Sequence, residues 1–139
     1  MMPNVRLIYV SIARSDLLFE DMKSLLKTAK ILNERHEISG VLCYHQGAFL
    51  QAIEGRRSDV NQLYSNIISD PRHLRCELLQ YQEIGARDFS KWSMQLIVLD
   101  GSLQRALTQR YGISNFELSQ MTGSEAHILL WHLASLDRD

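Results

Sequence analysis

An α+β fold is predicted, with the order β-α-β-β-α-β and one further strand before a helical tail. Three observations predict it. Five short stretches rich in β-branched and aromatic residues are interrupted twice by stretches whose apolar residues recur every three to four positions. A tight turn, His45-Gln46-Gly47, separates the second and third strand-like stretches. After Leu99 the apolar periodicity is helical only. The first six elements match the ferredoxin-like pattern, an antiparallel sheet with both helices on one face. The other sheet face is then bare, and the tail helices are expected to cover it.

The elements follow in order. Arg6–Ile12 is apolar on both faces, as a central strand must be. Leu7, Tyr9 and Ser11 share one face, and Ile8, Val10 and Ile12 the other. Ser15 and Asp16 are expected to open the first helix, with Leu18, Met22, Leu25, Ala29 and Leu32 on its apolar stripe and Asn33 at its end. Ile38–Tyr44 and Ala48–Glu54 form the hairpin strands. Phe49, Gln51 and Ile53 share one face of the second of these, Leu50 and Ala52 the other. Ser58 reads as the N-cap of a second helix that carries Val60, Leu63, Tyr64, Ile67 and Ile68 and stops before Pro71. Arg75–Ile84 is the fourth strand. Trp92–Leu99 is the fifth, with Trp92, Met94, Leu96 and Val98 on a common face. In the tail, Leu103–Tyr111 makes a short helix ended by Gly112. Thr122-x-x-Glu125 is a capping box for a last helix through Leu136, which carries Trp131.

Composition bounds the function. At 139 residues the chain is expected to form one compact unit, divided into residues 1–100 and a two-helix extension, 101–139. A net charge of −1 gives no pull toward nucleic acid or an anionic membrane. No apolar run approaches a membrane span. The two cysteines, Cys43 and Cys76, sit in apolar strand-like segments and read as buried free thiols, which fits a cytoplasmic protein. There is no phosphate-binding glycine loop, no nucleophile elbow and no histidine set with metal-ligand spacing.

The remaining signal is polar residues in apolar surroundings. Gln51 interrupts Ala48–Ile53, and a buried amide without partners costs ~1–3 kcal/mol. The bland alternative is a glutamine bonded across the sheet. Tyr9 shares its face with Ser11 and needs a partner for its hydroxyl, which a backbone carbonyl could supply. Asn33 is either an ordinary helix cap or a ligand contact. Arg72 and His73, after Pro71, are either a solvated turn or a pair of donors. In a ferredoxin-like arrangement a flat ring fits between the two helices, against Leu25 and Ile67, with its polar edge toward Asn33 and Gln51.

Five blocks in register carry a family resemblance: Leu7-Ile8-Tyr9-Val10-Ser11; Asn33 with Ile38-Ser39-Gly40-Val41-Leu42; Gly47–Gly55; Asp70-Pro71-Arg72-His73; and Phe89-x-x-Trp92-Ser93-Met94. From Arg6 to about Leu99 the chain resembles the BLUF domain, a flavin-binding blue-light sensor, and its tail is similar to that of the short, single-domain members. The resemblance implies noncovalent FAD. It places Asn33 at the pyrimidine edge and Gln51 between Tyr9 and the flavin. Phe49 falls within a matching block, and Arg72 and His73 match positions near the ring and ribityl chain. It implies that light drives an electron and a proton from Tyr9 through Gln51. The pair recombines, leaving Gln51 rotated or tautomerised with a stronger bond to the flavin C4=O and a red-shifted absorption. Trp92 and Met94 match the positions that relay this change through the last strand and the tail.

One residue departs from the pattern: Leu32 stands where many relatives have Asn or His. The expected role is a photosensor without a fused catalytic domain, acting on an unknown downstream signalling protein, with no nucleic-acid or membrane partner and a homo-oligomeric assembly. The alternatives are a ferredoxin-like interaction module without chromophore and a flavin-dependent reductase.

Overall fold

The computed structural model describes residues 3–138, apart from the side chains at positions 25, 28, 137 and 138. The elements are β1 (Asn4–Ala13), α1 (Phe19–Arg35), β2 (Ser39–His45), β3 (Ala48–Arg56), α2 (Arg57–Ser69), β4 (His73–Ile84), β5 (Gln95–Val98), α3 (Gly101–Tyr111) and α4 (Gly123–Arg138), with a single 3-10 turn at Leu118–Gln120. The sheet order is β4-β1-β3-β2-β5. The first four strands pair antiparallel, as the ferredoxin-like pattern requires, and β5 adds to β2 in parallel.

The β2–β3 hairpin turns on Gln46 and Gly47, at φ 48° and 78°. Two successive positive φ angles give the turn whose twist matches that of the flanking strands. Across this hairpin Gly40 is packed so closely that a Cβ would lie 2.1 Å from the Ala52 carbonyl oxygen. The two backbones can approach there only because residue 40 has no side chain.

Strand alternation divides the core between two faces. Leu7, Tyr9 and Ile53 pack with Val60 and its neighbours on the α1/α2 side. Ile8, Val10, Val41, Leu50 and Ala52 face the tail, where Leu107, Leu118, Leu129, Leu130 and Leu133 cover them. The last three leucines are at most 1% exposed. Each such burial contributes ~1.5–3 kcal/mol, so apolar area alone suffices to dock α4 on the sheet. The capping box forms as expected: Thr122 N donates to Glu125 Oε1 (3.0 Å) and Glu125 N to Thr122 Oγ1 (3.1 Å).

Several boundaries differ from expectation. α1 begins at Phe19 rather than at Ser15–Asp16, because Asp21 accepts from Leu18 N (3.2 Å) and so opens the helix three residues later. Leu18 is therefore a cap and is 66% exposed, not part of the apolar stripe. Asn33 does not end the helix, which runs on to Arg35 with His36 as its C-cap. α2 starts at Arg57, capped by Arg56 rather than Ser58, since β3 runs straight into it. β4 starts at His73, two residues early. β5 has only four residues, and Trp92 and Met94 precede it.

Candidate functional site

A cleft of about 280 Å³ opens between α1 and α2 above the sheet. That is close to the lower bound of small-ligand sites, roughly 300 Å³. Its walls are apolar: Leu17, Met22, Leu26 and Ala29 from the α1 side, Leu63 and Ile67 from α2. Phe49, Gln51 and Met94 line it from the sheet side, and Asn33, Asp70, Arg72 and His73 complete it.

The base of the cleft holds a chain of polar contacts. Tyr9 and Gln51 are directly opposed across the β1–β3 ladder. The Tyr9 hydroxyl donates to Gln51 Oε1, and Gln51 Nε2 donates to Met94 Sδ at 3.1 Å. Tyr9 is completely buried and Gln51 is 7% exposed. The amide is thus satisfied at both ends, which answers the cost of placing it among Phe49 and Ile53. Burial holds the Tyr9 phenol well above its ordinary pKa, and Cys76, Tyr64 and Asp70 nearby add to the effect. It is a neutral hydrogen-bond donor.

Asn33, on the last turn of α1, is 3% exposed and donates through Nδ2 to the Ser93 carbonyl at 3.2 Å. His73 Nδ1 bonds to Ser11 Oγ at 2.9 Å, and its ring lies 5.1 Å from that of Phe49 and 6.0 Å from that of Tyr9. Burial lowers the His73 pKa, with Asp70 acting against it, so the ring is held toward its neutral form. Arg72 is clamped by Asp70: Arg72 Nε donates to Oδ1 at 2.8 Å and Nη2 to Oδ2. Hydrogen bonds from Arg72 hold the Asp70 carboxyl below its usual range. Asp70 and Arg72 thus form a partly exposed ion pair at the edge of the cleft.

Of the residues singled out from sequence, Asn33, Phe49, Gln51, Ile67, Arg72, His73 and Met94 come together around the cleft, with Tyr9 beneath Gln51. The side chain of Leu25 lies outside the described residues. Leu32 lines the cleft while remaining 48% exposed. Trp92 and Met94 do not share a face. Met94 lies in the cleft, whereas Trp92 packs with the tail-side core, 6.4 Å from the Phe89 ring. The turn Phe89–Trp92 and the bond from Gly40 N to Trp92 O (2.9 Å) break the strand alternation between them.

Sequence reasoning also missed a charge cluster on the opposite sheet face, buried at Arg6 and Glu54 and reaching the surface at Asp88. Arg6 Nε donates to Glu54 Oε2 at 2.9 Å, and these residues are 4% and 0% exposed. Arg6 Nη2 reaches Asp88 Oδ2 at 3.0 Å, and His127 Nε2 of α4 meets the same oxygen at 2.7 Å. Strand parity could have revealed it. Arg6 falls on the face of Ile8 and Val10, and Glu54 on the face of Leu50 and Ala52, so both charges must be buried under the tail and must meet.

The fold and cleft define a small α+β module with an apolar cleft that carries polar side chains at its base and edge. The family described as "Sensors of blue-light using FAD", BLUF, matches residues 5–95, and the chain belongs to it. Its sheet and helices superpose on "BlrB - a BLUF protein, dark state structure" with a TM-score of 0.80 at 28% identity, over 99% of this chain and 98% of that one. The blue light- and temperature-regulated antirepressor BluF of Escherichia coli strain K12 is 30% identical over 118 residues, 81% of this chain and 29% of that protein. The photoactivated adenylate cyclase subunit alpha of Euglena gracilis is 33% identical over 76 residues, 55% of this chain and 8% of that protein. The chain thus spans a minor part of these two curated relatives. The BLUF family matches most of the chain, and BLUF proteins signal to partners or effector domains. Among the described residues no helix is long and apolar enough to cross a membrane.

FAD is the family's cofactor, and the cleft fits its ring system. Apolar side chains on two opposing helices suit the faces of an isoalloxazine. The carboxamides of Asn33 and Gln51 suit its hydrogen-bonding edge, and Arg72, paired with Asp70, lies at the rim of the cleft.

Proposed function

We propose that this chain senses blue light through Tyr9 and Gln51, that Met94 reads the outcome, and that β5 and the tail pass it to a partner protein. The carrying observation is the continuous path from the Tyr9 hydroxyl to Gln51 Oε1, and from Gln51 Nε2 to Met94 Sδ. Asn33, Phe49, Ile67, Arg72 and His73 would hold the cofactor.

Bound there, FAD supplies blue-light absorption and, once excited, an acceptor for one electron and one proton. With FAD bound, Tyr9 would be the electron donor, and its phenolic proton has one adjacent acceptor on the path, Gln51 Oε1. Burial keeps that proton on Tyr9 in the dark. When the charge returns, Gln51 is left rotated or tautomerised. A half-turn of the amide brings Oε1 toward Met94 Sδ. Sulfur of a thioether has no proton to donate, so the Nε2–Sδ bond is lost and Met94 must shift. The alternative amide state is thereby written into the segment that enters β5.

Residues 1–100 would act as the sensory part and 101–139 as the reporting part. The apolar seam between sheet and tail supports that division, because a change in β5 alters the surface on which α4 rests. Exposed Leu74 and Leu78 on the edge strand β4 support association with a second copy. Two free thiols, Cys43 and Cys76, support a reducing, cytoplasmic setting.

Tyr9→Phe and Gln51→Leu test the reading. Both variants should bind FAD and lose the light-induced red shift. A normal shift in either contradicts the assigned roles.

A further inference from the structure

Between β4 and β5 runs a segment, residues 88–94, that touches both halves of the molecule. At one end Met94 meets Gln51 in the cleft (3.1 Å), and Ser93 O accepts from Asn33 (3.2 Å). At the other, Asp88 meets His127 of α4 (2.7 Å). Between them, two successive backbone amides turn onto one carboxylate. Asp88 N donates to Glu54 Oε2 at 3.0 Å, and Phe89 N to Glu54 Oε1 at 2.7 Å. Glu54 is itself fixed by Arg6 and is wholly buried.

Both carboxylate oxygens are therefore engaged, and all three donors need an acceptor. No neutral side chain of this size meets that demand. Glutamine offers one oxygen and turns its NH2 group toward at least one N–H. Glu54 lies on the tail-facing side of β3 and Gln51 on the cleft side, so the two have no direct contact. Residues 88–94 bond to both: Met94 Sδ accepts from Gln51, and the Asp88 and Phe89 amides donate to Glu54.

We propose that Glu54 is the positioning residue that fixes segment 88–94, setting where Met94 stands against Gln51, while Asp88 carries the segment's position to α4 through His127. The proposal builds on the reading of Gln51 as the switching amide. It assigns the connection between that amide and the tail to one buried carboxylate and its ion pair.

The test needs neither light nor cofactor, so failure of the photosensory reading leaves its result intact. In the purified full chain, kept in the dark, the side-chain amide signals of Gln51 are followed by NMR, and backbone amide exchange is followed at residues 88–94 and in α4. Glu54→Gln should speed exchange of the Asp88 and Phe89 amides at least tenfold, roughly the loss of one such buried bond. It should also move the Gln51 amide signals from across the sheet. Asp88→Asn keeps the backbone donors to Glu54. It should speed exchange in the first turns of α4 and leave the Gln51 signals in place. Where Glu54→Gln does not fold, Glu54→Asp, with the carboxylate drawn back by one methylene, should move the Gln51 signals in the same way. Unmoved Gln51 signals in the folded Glu54 variant overturn the proposal. So does an Asp88→Asn variant that moves them as far as Glu54→Gln does.

Discussion

The hydrogen bond between Tyr9 and Gln51 can be weighed without light. Both groups are buried, and each is the other's partner on the β1–β3 ladder. Tyr9→Phe leaves Gln51 Oε1 without its donor in a dry site, at a cost of ~1–3 kcal/mol. Gln51→Leu leaves the Tyr9 hydroxyl without its acceptor, at a similar ~1–3 kcal/mol, and also removes the bond to Met94 Sδ. In the double variant neither unpaired group remains. Its loss should fall short of the sum of the single losses by ~1–2 kcal/mol, the range expected for contacting partners. The assay is urea unfolding of the FAD-free protein. With a slope of ~1.5 kcal/mol/M, a 2 kcal/mol loss lowers the midpoint by about 1.3 M, and the shortfall is readily resolved. Single losses that add to within ~0.3–0.5 kcal/mol would refute the pairing, because independent sites add that closely.

Two further outcomes follow. Burial pushes the Cys43 thiol from 9.0 in the ordinary case up to about 12. The folded chain thus keeps a proton that the unfolded chain releases, so this contribution is complete below pH 9 and is lost as pH rises toward 12. The loss grows with each pH unit across that interval. Cys43→Ala should flatten the fall of the urea midpoint between pH 9 and 10.5, and parallel curves for the two proteins would contradict this. Met94 and Trp92 should separate in the photocycle. Met94→Ala, in the cleft, should change the rate of dark recovery several-fold, whereas Trp92→Ala should leave recovery near that of the unsubstituted protein and loosen the tail. Transient absorption measures the first effect and amide exchange of α4 the second.

Strand parity carried the sequence reading furthest. It separates Leu7 and Tyr9 from Ile8 and Val10, and Gln51 and Ile53 from Leu50 and Ala52, and the core clusters divide along the same line. It misled at Trp92-Ser93-Met94, where alternation suggested a continuous strand. The backbone there is bent by contacts from distant parts of the chain: Gly40 holds the Trp92 carbonyl, and Glu54 holds the amides of Asp88 and Phe89. Such contacts leave no periodic trace. The helix starts differ for two reasons: Asp21 rather than Ser15 or Asp16 serves the start of α1, and β3 runs straight into α2. Asn33 was recognised as significant yet read as a helix end, whereas α1 continues past it and presents its amide to the Ser93 carbonyl.

The central claim is that Gln51 changes its hydrogen bonds when light reaches a flavin held between α1 and α2. The light-minus-dark absorption spectrum of the purified, FAD-loaded protein tests it most directly. A reversible red shift of the flavin band on blue illumination is the predicted result. Bound flavin whose spectrum does not move under illumination would contradict it.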